Sequence, residues 1–362
     1  MKIIICVSND LTYDQRMQRI AGSFSKNHEV ELVGRKLKNS VDLEKKNYAQ
    51  KRINLLFNRG ILFYTELNIR LFFFLLFRKA DCYYAVDLDT IVPVTLVAKL
   101  KSKKCIFDAH ELFEEVPELL DRPLKKYVWE WVAKKFIPKQ NLCITVSPAL
   151  AEYLESKYHI AFVVIRNVPY QKKTTPTDKT EKIILYQGAL NVGRGLEEMI
   201  DAMSRIPTEY KLIIIGDGDI AAQLKEKAKN SPRKHDIQFT GYLRPQDIEP
   251  YTEAAWLGLN LIDNRSLSYY YSLANKFFDY IQVGVPCINM DFPEYRRINQ
   301  SYQVSILLDS LDPTEIAHQI LKLGNDPELY QHMVTECHRA AKEYTWENEE
   351  MVLKGVVENI CA

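Results

Sequence analysis

The sequence predicts an α/β protein of two doubly wound domains, each a parallel sheet covered by helices on both faces, facing each other across a cleft. Three observations carry this. The chain has 362 residues, enough to fill two separate cores. Short β-rich apolar runs alternate with helical patterns, which is the signature of βαβ units. The alternation stops at 167–182, a stretch with Pro169, Pro176, several Thr and four Lys and no apolar period, and then restarts.

Taken in order, the apolar run 3–7 is a buried first strand, followed by a helical pattern at 14–26 and a strand at 29–33. Strands at 82–86, 104–108 and 142–146 then alternate with helices at 90–100 and 148–157. Beyond the linker the series is strand 183–186, helix 195–203, strand 211–215, helix 221–228, strand 237–240, helix 246–255, strand 257–262, helix 275–283 and strand 287–290. A last helical stretch covers 344–360. The expected division is a first domain at 1–166, a linker at 167–182, a second domain at 183–343 and a terminal helix within 344–362.

Composition narrows the function. Hydrophobic residues make up 47% and charged residues 26%, with 13 Gly and 15 Pro, which excludes disordered, collagenous and disulfide-framework classes. The 48 basic and 47 acidic side chains nearly cancel, but 1–166 holds 27 Lys/Arg against 19 Asp/Glu, net +8, and 167–362 holds 21 against 28, net −7. The first half is thus the one suited to an anionic surface. Seven scattered cysteines without a C-x-x-C pair read as reduced core residues of a cytoplasmic protein. The run 3–7 is too short for a signal-peptide core, and the apolar run 71–77 is far short of the roughly 20 residues that span a bilayer.

Ligands of open parallel sheets bind beyond the carboxyl ends of strands, so the residues just after each strand carry the chemistry. After the strand at 183–186 comes a turn bearing Gly188, Gly193 and Arg194 that opens a helix, where free N–H groups and one cation suit a diphosphate, or else form an ordinary turn. After 211–215 comes Gly216-Asp217-Gly218-Asp219, a turn whose glycines are also explained by steric need. At 275–283, Phe277, Tyr280 and Ile281 form the core stripe of a helix, with Lys276 and Asp279 three apart on a neighbouring face. A carboxylate there can accept from ribose hydroxyls and an ammonium can balance a diphosphate; the plain alternative is a surface ion pair.

The stretch Asn275 to Pro286 resembles the N-K-x-x-E-Y-x-x-x-G-x-P signature of the retaining nucleotide-sugar glycosyltransferases built from two Rossmann-like domains, the GT-B fold, with the family-four group as the nearest match. Phe107-Asp108-Ala109-His110-Glu111 resembles the family's D-x-H-E segment and Ile144-Thr145-Val146-Ser147 its T-V-S strand. Val164-Ile165-Arg166-Asn167, Ile215-Gly216-Asp217-Gly218 and Phe239-Thr240-Gly241-Tyr242 follow in the family's order. The resemblance implies transfer of a sugar from a nucleoside-diphosphate donor to a glycan or lipid-linked acceptor, with retention, in cell-surface polysaccharide synthesis. It puts Asp279 on the donor ribose, Arg194 and Lys276 on its diphosphate, Gly241, Tyr242 and Leu243 beside the base, and His110 beside the transferred sugar. Gly188, Asp217 and Asn275 complete the donor set. It also implies that the terminal helix crosses back to the first domain, with Trp346 as a packing anchor. No metal and no resident cofactor are expected, the nucleotide sugar being a co-substrate, and no nucleic acid is expected as a partner.

Several positions depart from the family pattern. Tyr271 stands where a carboxylate usually touches the sugar, Ala189 replaces a common Arg, and Asp279 is shorter than the usual Glu. The first loop, 8–16, has no glycine; Asn9, Asp10 and Arg16 are candidates for acceptor or phosphate, against simple helix capping by Asp14. Asp87-Leu88-Asp89 spells a D-x-D, but Asp89 just before the helix expected from Thr90 reads better as an N-cap than as a metal ligand. Residues 51–79 hold six basic side chains and one acid, Glu66, among aromatic residues. They are expected to form either a basic amphipathic helix that touches an anionic membrane from the cytoplasmic side or a core helix of the first domain with a solvated basic rim, the first reading being favoured by Lys125, Lys126, Lys134, Lys135 and Lys139 of the same half. Two rival readings are a nucleotide-sugar epimerase of the same fold and a non-catalytic partner subunit.

Overall fold

A computed structural model describes every residue except Tyr13, 173–178, Thr180 and Ala362; the side chains of Asn359 and Cys361 are also outside the description. Much of the expected linker at 167–182 therefore lies outside the described residues. The chain forms two compact units, Met1–Asn167 with Asn348–Ala362, and Val168–Glu347.

The first unit is built from β1 (Lys2–Cys6), α1 (Gln15–Phe24), β2 (Glu29–Lys36), β3 (Ala49–Asn54), α2 (Gly60–Leu76), β4 (Cys82–Val86), α3 (Asp87–Leu100), β5 (Lys104–Ala109), α4 (Pro123–Phe136), β6 (Leu142–Thr145), α5 (Pro148–Tyr158) and β7 (Phe162–Val164). Its seven strands are all parallel in the order β3-β2-β1-β4-β5-β6-β7. Central strands of such a sheet are covered on both faces, which is why Ile3, Ile4 and Ile5 are consecutive and all buried. Asp14 caps α1 by accepting from Met17 N.

The second unit contains β8 (Lys182–Gln187), α6 (Leu196–Met203), β9 (Tyr210–Ile215), α7 (Ala221–Lys229), β10 (Ile237–Gly241), α8 (Pro245–Ala254), β11 (Leu257–Asn260), α9 (Leu267–Tyr270), α10 (Asn275–Gln282), β12 (Cys287–Met290), α11 (Pro293–Ser301), β13 (Ser305–Leu308), α12 (Pro313–Asn325) and α13 (Pro327–Glu343). Its sheet is parallel in the order β10-β9-β8-β11-β12-β13. The last helix, α14 (Trp346–Cys361), begins in the second unit with the buried Trp346 and continues into the first, where Glu349 pairs with Arg166 and Glu350 with Lys26.

Three expectations are corrected. Residues 51–79 are not one helix: 51–54 belong to β3, and α2 runs only over Gly60–Leu76, with Phe63, Leu67, Leu71 and Leu75 buried as an i, i+4 stripe. Asp89 is not an N-cap, because α3 begins two residues earlier and Asp89 sits inside its first turn. Strands β3, β7 and β13 and helices α4, α9, α11, α12 and α13 have no counterpart in the sequence reading; the strands are short or polar and lie toward the sheet edges, where the hydrophobic period is weak. The six described cysteines outside the terminus are buried and free.

Candidate active site

In both sheets the chain order reverses beside one strand, at β1 against β4 and at β8 against β11. In open parallel sheets such a reversal is where the loops diverge and ligands bind, at the carboxyl ends of the strands.

In the second unit three glycine turns stack along these ends. Gly188 N donates to Ile215 O (2.9 Å), Leu190 N to Asp217 O (3.0 Å) and Gly216 N to Gly241 O (3.0 Å), which ties the turns after β8, β9 and β10 together. Gly188, Gly216 and Gly241 all have positive φ, and a Cβ on Gly216 would collide with the Gly188 carbonyl oxygen. The Asp217 carboxylate accepts from Gly218 N (2.9 Å) and so shapes its own turn. Tyr242 is exposed and Leu243 half-buried just beyond β10.

Helix α10 brings its N-terminus to the same place. Asn275 is its first residue and is exposed, whereas Lys276 is only 9% exposed. The Lys276 ammonium lies 3.8 Å from the centre of the Tyr186 ring and next to Gly188. Lys276 and Asp279 form no ion pair: among the described residues no carboxylate and no hydrogen-bond acceptor partners Lys276. Asp279 instead accepts from Gln187 Nε2 (3.0 Å), and Gln187 is held by the Thr252 hydroxyl (2.9 Å). Burial pushes the Lys276 ammonium well below its ordinary pKa, and the nearby positive charge of Arg194 pushes it further. Arg194 rests 4.7 Å from the Tyr269 ring centre, with its buried Nε unbonded. Among the described residues neither basic side chain has an ion-pair partner, an arrangement that favours an incoming anion, which would hold Lys276 in its charged form. Gly188, Asp217, Gly241, Tyr242, Leu243, Asn275, Asp279, Arg194 and Lys276 all come to this carboxyl edge.

In the first unit the residues separate. Arg16 is not free for an acceptor or a phosphate: it is buried, its Nη2 donates to Asp108 Oδ1 (2.8 Å) and its Nη1 to Ile165 O (2.7 Å). Asp10 is likewise spent, accepting from Thr12 N (2.9 Å), Arg52 Nη2 (2.6 Å) and the Ser40 hydroxyl. Asn9 is exposed, and its carbonyl accepts from Arg35 N (3.0 Å).

His110 follows β5 and is 21% exposed. Its Nε2 lies 3.1 Å from Asp108 Oδ2 and 3.0 Å from Arg16 Nε, and its Nδ1 lies 3.8 Å from Asp87 Oδ2. Nε2 cannot both accept from Arg16 and donate to Asp108. Burial alone would favour neutral imidazole, yet the Asp108 and Asp87 charges outweigh it and push His110 up to about 9, so Nε2 carries the proton and donates to Asp108. Asp108 also accepts from the Tyr84 hydroxyl (2.8 Å).

Several neighbours are invisible in the sequence. Tyr186 and Tyr84 read there as core aromatics of apolar strands, and only the long-range contacts give their hydroxyls and rings a place. Asp108 stands inside the D-x-H-E stretch, and its Asp was the available signal.

Among the described residues no group of three or more His, Cys, Asp or Glu is arranged to hold a metal ion, and no helix is long and apolar enough to cross a membrane.

A family profile described as glycosyl transferases group 1 matches residues 168–339, and one described as glycosyltransferase family 4 matches residues 16–168. The chain belongs to the group 1 glycosyltransferases. The likeness of this glycosyltransferase to solved structures extends over the whole chain. HepE of Anabaena in complex with UDP is 16% identical over 99% of each chain, with a TM-score of 0.76. Sucrose-phosphate synthase of Thermosynechococcus elongatus is 14% identical over 99% of each chain, with a TM-score of 0.79. The lipopolysaccharide outer core galactosyltransferase WaaB in its apo form is 13% identical over 99% of each chain, with a TM-score of 0.67. At these identities the likeness gives the fold, and the fold is GT-B, two Rossmann-like parallel-sheet units. No curated protein matches the glycosyltransferase in sequence.

Proposed function

We propose that this glycosyltransferase takes a sugar from a nucleoside-diphosphate donor held by the second unit and passes it, with retention, to a glycan or lipid-linked acceptor in the building of a cell-surface polysaccharide. The observation that carries the donor assignment is the pair of uncompensated cations, Lys276 and Arg194, beside the stacked glycine turns. A diphosphate neutralises both, and the neighbouring Asp279 carboxylate accepts from ribose hydroxyls. As the C1–O bond to the diphosphate breaks, negative charge grows on the departing phosphate oxygen. Fixed cations lower that barrier more than they stabilise bound donor. The acceptor oxygen forms the new C1–O bond on the same face, and its proton passes to the departing phosphate, so the step needs no separate carboxylate base. With Lys276 and Arg194 balancing the phosphates, no metal is required.

A lipid-linked acceptor is supported by the outer helices of the first unit. Helix α3 packs against both α2 and α4, and Tyr64 of α2 meets Trp129 of α4 at 5.0 Å between ring centres. These adjoining helices expose Ile61, Phe73, Phe77 (81%), Leu100, Leu124 (82%) and Trp131. Exposed Lys134, Lys135 and Lys139 stand among them, with Lys135 4.5 Å from the Trp131 ring centre. Aromatic and aliphatic side chains mixed with lysines suit the headgroup layer of an anionic membrane.

The test is a panel of nucleotide sugars, beginning with UDP-glucose, with membrane extract as acceptor source and product masses as readout. Net transfer is expected, abolished by Lys276→Ala and by Asp279→Ala in proteins that still fold. Isomerised donor without acceptor would favour an epimerase, and absence of any nucleotide stabilisation would favour a non-catalytic partner subunit, for which Tyr271 and Ala189 are the grounds; either outcome overturns the proposal.

A further inference from the structure

The first unit carries a second unsatisfied polar pair, of opposite sign to each other, at its own chain reversal. Strand β1 lies between β2 and β4. Arg35 stands near the carboxyl end of β2 and Asp89 in the first turn of α3, directly after β4, so the two flank the end of β1. Asp89 is only 5% exposed and its Oδ1 has no hydrogen-bond partner. Burial pushes its carboxyl up to about 6, and nearby Glu111 adds to this, against partial relief from Ser8 and Arg35. Arg35 has a buried, unbonded Nε; its Nη1 donates to Asn58 O (3.2 Å) and its guanidinium lies 4.5 Å from the Phe63 ring centre. The two charges feel each other, yet no ion pair within 4.0 Å joins them. The Tyr64 phenol feels both. Beside them Asp87 holds a left-handed backbone (φ 56°) and its Oδ1 accepts from His110 N (2.9 Å), which connects this corner to His110. Left-handed backbone at a residue other than glycine marks positions held for function more often than by chance.

We propose that Asp89 and Arg35 form the acceptor-sugar subsite, gripping one hydroxyl of the acceptor glycoside between them. This rests on the transferase reading above. A hydroxyl is the one common group that both donates and accepts. It gives its hydrogen to Asp89 Oδ1 and takes one from Arg35 Nε, which satisfies both orphans at once. An anion in this corner meets the Asp89 and Glu111 carboxylates and a cation meets the Arg35 guanidinium, so the pair selects a neutral hydroxylated ligand. That chemistry is complementary to the cationic corner of the second unit, which selects an anion. Asp10 and Arg16 are bonded to their own neighbours, whereas Asp89 Oδ1 and Arg35 Nε, which flank the end of β1 with opposite charge, are both unbonded.

The probes are the p-nitrophenyl glycosides of glucose, galactose, mannose, N-acetylglucosamine and rhamnose, titrated by saturation-transfer NMR without nucleotide, with p-nitrophenol as control. At least one glycoside is expected to bind the wild-type protein. Asp89→Asn, which keeps the shape and removes the charge, and Arg35→Gln are each expected to weaken it about tenfold or more. The double variant is expected to be no worse than the weaker single one, because both side chains hold the same hydroxyl. The proposal is overturned if no glycoside binds the wild-type protein, or if binding survives unchanged in Asp89→Asn and Arg35→Gln. Stabilisation of Asp89→Asn by UDP, measured alongside, reads the donor site separately: its loss in the wild-type protein too counts against the transferase reading, and its retention with unaltered glycoside binding counts against the subsite alone.

Discussion

Replacing Lys276 by Met separates the cost of a buried charge from its use. In the free protein the ammonium is buried beside Arg194 with no anion, a penalty that Met, of similar length and apolar, removes. What is lost is the ammonium over the Tyr186 ring at 3.8 Å, worth up to about 2 kcal/mol when desolvated, and a thioether retains part of that contact. The free variant is therefore expected to be more stable by roughly 1–2 kcal/mol, since the desolvation penalty of a buried ion is several kcal/mol. Nucleotide binding moves the other way. One charge-assisted hydrogen bond to phosphate contributes about 2 kcal/mol, so the dissociation constant rises ~30-fold. Ligand at 100 times the wild-type Kd then stabilises by ~0.9 instead of ~2.7 kcal/mol. For a unit of the size of Val168–Glu347, the nucleotide-induced rise in Tm falls from about 5–11 °C to about 2–4 °C. Thermal melts with and without UDP read both effects. A variant with a lower Tm than the wild type in the free state, or with the full nucleotide response, refutes the reasoning.

Asp108→Ala leaves Arg16 buried without its carboxylate and is expected to cost about 3–5 kcal/mol in urea unfolding, with Tyr84→Phe costing about 1; a loss below 1 kcal/mol for Asp108→Ala would mean that the pair is not closed in solution. His110, raised from its ordinary 6.5 to about 9, contributes stability that is complete below pH 6.5 and disappears as pH rises through 9. Asp87, which burial pushes up to about 8, acts in the same direction, because its ionisation is opposed in the folded state from about pH 4 upward. Urea midpoints are thus expected to fall between pH 6.5 and 9, and His110→Gln should flatten that fall; a flat wild-type profile contradicts the assignment. Sedimentation with phosphatidylglycerol vesicles is expected to be lost in Phe77→Ser/Leu124→Ser and at high salt, and absent with neutral phosphatidylcholine. Equal binding to both vesicle types, or none, contradicts the membrane face.

The parts of the site legible in the sequence are those set by local pattern. The stripe Phe277, Tyr280, Ile281 gives the helix that presents Lys276, and buried strands such as Ile3 to Ile5 have a run length that distinguishes them from helices. Strand β3, reading Ala-Gln-Lys-Arg-Ile-Asn, has no apolar alternation because it is a sheet edge held by backbone pairing to β2. Helix α4 escapes notice for a related reason: its exposed Leu124 and Trp131 blur the amphipathic pattern from which helices are read.

The sequence by itself determined the two α/β units, the glycine turns after their strands and the positions of Lys276 and Asp279, since these follow from periodicities of two and 3.6 residues and from steric demands within a few residues; His110 is picked out only by the resemblance of its segment to the D-x-H-E stretch. Only the tertiary structure decided which charges are already answered. Arg16 is neutralised by Asp108 from 92 residues away, whereas Lys276, three residues from a carboxylate, meets none. Charge compensation depends on distances through space, which local spacing along the chain does not encode.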